Sequence, residues 1–154
     1  MGVYFMSISC RVLGLCGLMF AMCDARAICT VTTSAASFGT VTVGNESRTI
    51  FSTLANCSPA TPYSFSFSSL NGGLTGGRLV SGSCALNYSI VSYTGGAYGT
   101  TNYFVFPPPG LMGNGLDQTT TFGMVIPAVQ GGCVLTPGGA AITVTDTLTL
   151  SVNY

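Results

Sequence analysis

The 154-residue chain is only 5% charged, with four basic residues against four acidic ones, no His and a formal net charge of zero. That inventory excludes the basic patches a nucleic-acid partner requires, and 47% hydrophobic residues exclude a disordered polar chain. The length suits one domain, and polarity drawn from Ser, Thr, Asn and Gly suits an all-β protein outside the cytoplasm.

Residues 1–27 read as an export signal. Arg11 supplies the positive region, residues 12–23 a compact apolar run, and Ala25-Arg26-Ala27 the small-x-small cleavage site. The run is short of the roughly 20 residues of a membrane span. Met6 is an alternative start to Met1. Met22 stands where a lipoprotein signal would need a small residue before Cys23. Cleavage after Ala27 leaves a domain of residues 28–154. Of seven cysteines it keeps four, Cys29, Cys57, Cys84 and Cys133. An even number in an exported domain implies disulfides, and four cysteines allow three connectivities. Without His or a CxxC spacing a zinc site is not expected.

Short strands then follow in order. Cys29–Thr32 is the first, residues 38–43 a second extended piece, and residues 49–57 a third. A turn with Pro59 and Pro62 ends pairing. Residues 63–68 alternate aromatic with serine, the pattern of a strand with one buried face. Gly-rich turns, a short edge piece at Leu79-Val80 and a strand over residues 84–93 come next. From Tyr98 to Gln118 the alternation dissolves. Pro107-Pro108-Pro109 cannot sit within a sheet, so this is read as a long apolar loop. Its Tyr103, Phe104, Phe106, Leu111 and Met112 form a candidate adhesive surface, set against the commoner outcome of aromatics folded over a sandwich end. A strand over residues 121–127 and a Gly- and Pro-bearing turn with Cys133 lead to the last element. There Leu148, Leu150, Val152 and Tyr154 alternate with Thr147, Thr149, Ser151 and Asn153. This is a half-buried strand, and it ends the sequence, which raises the question of what covers its far side. Seven or eight short strands with regularly spaced turns predict a β-sandwich.

The chemistry-bearing residues are few. Asp117 and Asp146 could form an acid pair, but Asp146 reads as a cap for the turn before its strand. Arg48 and Arg78 read as surface cations. The paired glycines lack the strand–GxGxxG–helix context of a phosphate cradle. Without His or Lys, and with three scattered carboxylates after cleavage, the chain offers no general base, and no enzyme activity or cofactor is expected.

Cys29-Thr30-Val31, Phe38-Gly39, Asn56-Cys57-Ser58, Pro62-Tyr63-Ser64-Phe65, Gly76-Gly77-Arg78, Leu86-Asn87-Tyr88, Thr121-Phe122-Gly123 and the close from Thr145-Asp146-Thr147-Leu148 to Tyr154 appear in that order. In these features residues 29–154 resemble the spore coat protein U domain, the pilin-type domain of archaic chaperone–usher pili. The resemblance implies an incomplete immunoglobulin-like sandwich that lacks its last strand. A periplasmic chaperone would supply that strand first, and a neighbouring pilus subunit would replace it after assembly at an outer-membrane usher. Leu148, Leu150, Val152 and Tyr154 would then be the acceptor edge. The resemblance also implies a Cys29–Cys57 disulfide, leaving Cys84–Cys133 as the second pair. Cleavage after Ala27 places only Ile28 before Cys29, too little to span a groove at roughly 3.3 Å per residue. The expectation is a subunit that accepts a strand and donates none, at a fibre tip, in adhesion to abiotic or host surfaces and biofilm formation. The alternative is a secreted spore or envelope coat protein of the same fold that does not polymerise.

Overall fold

The computed structural model of the chain describes residues 27–39, 41, 44–82, 84–128 and 144–154. The expected export segment up to residue 26 and Cys133 lie outside the described residues. Nine strands are present among them, and no helix. They are β1 (Cys29–Thr33), β2 (Ser47–Cys57), β3 (Pro62–Ser69), β4 (Gly77–Ser81), β5 (Cys84–Thr94), β6 (Ala97–Tyr98), β7 (Leu111–Met112), β8 (Asp117–Ile126) and β9 (Leu148–Asn153). All pairings are antiparallel. One sheet runs β1-β2-β8-β5-β4 with β6 beside β5, and the other runs β7-β3-β9. The fold is an all-β sandwich of two antiparallel sheets.

Period-two alternation decides which face each strand buries. On β2, Phe51, Thr53, Ala55 and Cys57 point inward, and Arg48, Ile50 and Leu54 point out. On β3, Tyr63, Phe65, Phe67 and Ser69 are buried, with serines between them. Phe122 of β8 sits at the centre, edge-on to Phe65 and Phe67 with centroids 5.7 and 5.0 Å apart, and stacked on Phe51 at 5.4 Å. Such offset and edge contacts each add about 1 kcal/mol beyond area burial.

The end of β1 is set by one side chain. Ser34 N donates to Ser52 O, as the ladder requires, but the Ser34 hydroxyl accepts the return bond from Ser52 N at 2.9 Å. A side chain thereby replaces the backbone carbonyl and pairing stops. The extended piece expected over residues 38–43 forms no ladder at its described positions. Phe38 instead turns its ring towards Tyr88, 6.2 Å away.

Residues 98–118 are more ordered than the loop expected from sequence. They contain the end of the β5–β6 hairpin, the two-residue β7 and the start of β8. Gly95 and Gly96 close that hairpin with φ of 60° and 87°. A type I′ turn demands positive φ at both central positions, which glycine adopts without steric cost. Pro107, Pro108 and Pro109 lie outside every strand, as their missing N–H groups require.

Candidate functional site

The site is an edge. β9 pairs with β3 on one side, and among the described residues no strand pairs with its other side. Leu70 N donates to Thr147 O at 2.9 Å, and Leu70 and Thr147 continue the β3–β9 register. Alternation along an antiparallel ladder then directs the amides and carbonyls of Thr149, Ser151 and Asn153 to β3. Those of Leu148, Leu150 and Val152 point to the open edge. The side chains of the same three residues face the core yet remain half-buried. Full burial of a Leu or Val is worth about 1.5–3 kcal/mol, so each leaves a substantial part unrealised. Tyr154 follows the last ladder residue and is 63% exposed, so it does not share the environment of the three residues with which the sequence pattern grouped it.

A second open edge lies on β1. Ser58 N donates to Ile28 O at 2.9 Å, so residues 28, 30 and 32 direct their backbone groups to β2. By the same alternation Cys29, Val31 and Thr33 present theirs away from it. Leu111 of β7 lines a cavity of about 310 Å³ together with Tyr93 of β5 and Phe122 of β8. The β7 end of the second sheet therefore lies over the β5 end of the first. The half-buried Val31, Phe38 and Val41 on one side, and Val144, Leu148, Leu150 and Val152 on the other, all pack against the same core.

Cys29 and Cys57 are joined by a disulfide between cross-strand partners of β1 and β2. It ties the edge strand β1 to its inner neighbour β2. Cys84 is buried and disulfide-bonded. Its expected partner Cys133 lies outside the described residues.

Asp146 does more than cap a turn. Its Oδ2 accepts from Ser69 Oγ at 2.5 Å and from the Tyr88 hydroxyl at 2.7 Å, with Arg78 N at 3.4 Å. Its Oδ1 accepts from Thr147 N at 2.8 Å and from Asn71 Nδ2 and N at 3.1 and 3.3 Å. A carboxylate only accepts, and donors from β3, the β3–β4 turn, β4 and β5 surround it. Burial, reinforced by the bond to Asp146, pushes the Tyr88 phenol above its ordinary range. Beside this cluster Thr145 exchanges two backbone bonds with Val80 of β4, at 2.9 and 3.1 Å. Asp117 bonds Asn56 Nδ2 at 2.9 Å, near the disulfide end of β2. The two carboxylates thus have separate partners, and no shared acid pair forms.

The structure divides the aromatic loop. Phe104 is 8% exposed and packs on Phe67 and Tyr88. Tyr103 is half-buried against Phe122 and Leu111 is half-buried in β7. Phe106 at 63% and Met112 at 56% face solvent. The expected five-residue adhesive surface therefore reduces to these two, because Tyr103, Phe104 and Leu111 close the β3–β7 side of the sandwich. Arg48 pairs with Glu46, which raises its already high pKa, and its guanidinium lies 4.9 Å from the centre of the Tyr98 ring.

No family model matches the chain, and no curated protein matches it. Among solved structures it is similar to a chain of the CsuC–CsuE chaperone–tip adhesion subunit pre-assembly complex from archaic chaperone-usher Csu pili of Acinetobacter baumannii. The two are 18% identical with a TM-score of 0.48, over 83% of this chain and 40% of that one. The chain thus spans well under half the length of the structure it matches.

Proposed function

We propose that this protein is a subunit of a bacterial surface pilus, exported through the periplasm and assembled by donor-strand complementation. The observation that carries the reading is the open edge of β9. Leu148, Leu150 and Val152 direct backbone donors and acceptors outward and hold half-buried apolar side chains inward. An inserted strand with alternating apolar residues would pair with the first set and cover the second. An edge of this kind left free is an aggregation hazard, which is the physical reason for a partner. The order of motifs from Cys29 to Tyr154 supports the same reading. The partners are a periplasmic chaperone, an outer-membrane usher and a neighbouring subunit.

A place at the fibre tip, and a role in adhesion and biofilm formation, belong to the same proposal. The tip position stands or falls with the mature N-terminus. Maturation at Ile28 supports it, and ten or more alternating residues before Cys29 in the exported protein would overturn it. The exposed side chains of Phe106 and Met112 are the contacts offered to an apolar surface. The experiment for assembly is periplasmic co-expression with an archaic-type chaperone from the same genome. Retention of the chaperone on the tagged subunit supports donor-strand assembly. A stable, soluble monomer that retains none would sink it.

A further inference from the structure

The β3–β9 ladder is nearly repetitive. Ser64, Phe65, Ser66, Phe67 and Ser68 face Asn153, Val152, Ser151, Leu150 and Thr149. Slippage by one residue would turn Leu148, Leu150 and Val152 to solvent and is costly. Slippage by two residues is different. In one direction Leu150 replaces Val152 opposite Phe65 and Leu148 replaces Leu150 opposite Phe67; in the other, Tyr154 replaces Val152 and Val152 replaces Leu150; at the outward positions small polar residues replace one another. The alternation that makes a good strand therefore leaves the two-residue slip poorly excluded. Pairing on one side only removes the second neighbour that would normally fix it.

We infer that Asp146 is the register-setting residue of β9, a positioning residue for the open edge. The carboxylate stands two residues before the first residue of the strand. It is held by side chains of Ser69, Asn71 and Tyr88 and by the amides of Asn71 and Arg78, all outside β9. These donors are themselves fixed. Ser69 Oγ also accepts from Gly72 N at 2.8 Å, and the Tyr88 ring lies against the Cα of its cross-strand partner Gly77, where a Cβ would stand 2.0 Å from the ring. Movement of β9 by two residues carries Asp146 about 7 Å from this cluster and breaks every one of these bonds. The Val80–Thr145 backbone bonds would break too, but any residue brought opposite Val80 could remake them. A carboxylate has no such substitute. The register in turn decides which three residues present their backbone to an incoming strand. The inference deepens the proposed function and rests on it only for the use of the edge.

The test places cysteines at Ser66 and, in separate variants, at Thr149, Ser151 or Asn153, in the full chain expressed in an oxidising periplasm. Each is combined with native Asp146, with Asp146→Asn and with Tyr88→Phe. Opposed positions in register have the Cα spacing a disulfide needs. Cross-linked product is measured by mass spectrometry as a fraction of total folded chain. With Asp146 intact, Ser66→Cys should cross-link to Ser151→Cys. In Asp146→Asn, which puts an amide N–H among donors, the ratio of in-register to offset product should fall by about tenfold, the size of a charged hydrogen bond. Tyr88→Phe keeps the ring and should shift the ratio the same way by less, which keeps the test decisive should Asp146→Asn not accumulate. An unchanged ratio in either variant overturns the inference, even where the yield falls, because general destabilisation lowers yield without redistributing cross-links. No donor strand enters the measurement, so failure of the pilus reading and failure of this one give different results.

Discussion

The hydroxyl of Tyr88 donates a 2.7 Å hydrogen bond to Oδ2 of Asp146, joining the middle of β5 to the turn that leads into β9. The phenol is almost wholly buried and its proton is held above the ordinary value of about 10. A raised native pKa means that the folded state keeps this proton after the unfolded chain has released it. The stabilisation is therefore complete below about pH 10 and is lost as pH rises towards the native value. Stability should fall above pH 10, and Tyr88→Phe should flatten the slope by up to about 1.4 kcal/mol per pH unit. Urea titrations between pH 8 and 11.5 measure this, with Tyr63→Phe as a comparison, since burial raises Tyr63 as well.

Adjacent glycines should differ sharply. A Cβ at Gly77 would lie 2.0 Å from the Tyr88 ring, whereas at Gly76 the nearest group is Tyr88 O at 3.9 Å. Gly77→Ala must displace the ring from Asp146 and is expected to cost about 3 kcal/mol or more. Gly76→Ala should stay within about 1 kcal/mol. Urea midpoints of the two variants at neutral pH make the comparison.

Ala60 sits in the left-handed region with φ of 59°, in the turn closed by Thr61 N donating to Ser58 O. Pro59 before it fits the second position of a type II turn, whose third position favours glycine. Ala60→Gly should stabilise the fold by about 1 kcal/mol, seen as a higher thermal midpoint. A lower midpoint would mean that unfolded-chain entropy outweighs the relieved strain.

Phe104 and Phe106 should separate stability from surface contact. Phe104→Ser removes a ring from the contacts with Phe67 and Tyr88 and should cost about 3–5 kcal/mol. Phe106→Ser should change stability by no more than about 0.5 kcal/mol and reduce adsorption of the folded protein to a hydrophobic surface. Equal adsorption by the Phe106→Ser variant and the parent would remove this loop from any adhesive role.

Much of the sandwich was legible because its strands alternate cleanly. The Ser-Phe repeat of β3 and the Leu-Thr repeat before Tyr154 place their own faces. β8 was read short, from Thr121, whereas it begins at Asp117. Its first residues, Asp117 to Thr120, are polar in sequence, and they join a sheet through the register with Asn56 to Thr53. The short β7 was missed for a related reason, since two residues carry no period and their pairing with Pro62 and Tyr63 is set by the fold. Asp146 was read as a cap from its position before a strand. Its cluster was invisible because Ser69, Asn71, Arg78 and Tyr88 lie 58 to 77 positions away. The division of the aromatic loop had the same origin, as a composition of Tyr, Phe and Pro does not say which ring finds Tyr88.

The open edge of β9 is the central claim, and amide exchange tests it most directly. The subunit is purified from the periplasm with a co-expressed archaic-type chaperone, and exchange at Leu148, Leu150 and Val152 is compared with that at Thr149, Ser151 and Asn153. The account predicts that all six amides are protected in the complex, and that Leu150→Asp abolishes capture while the β2–β8 ladder stays protected. A folded subunit that binds no chaperone, with Leu148, Leu150 and Val152 exchanging as freely as an unpaired edge, would contradict it.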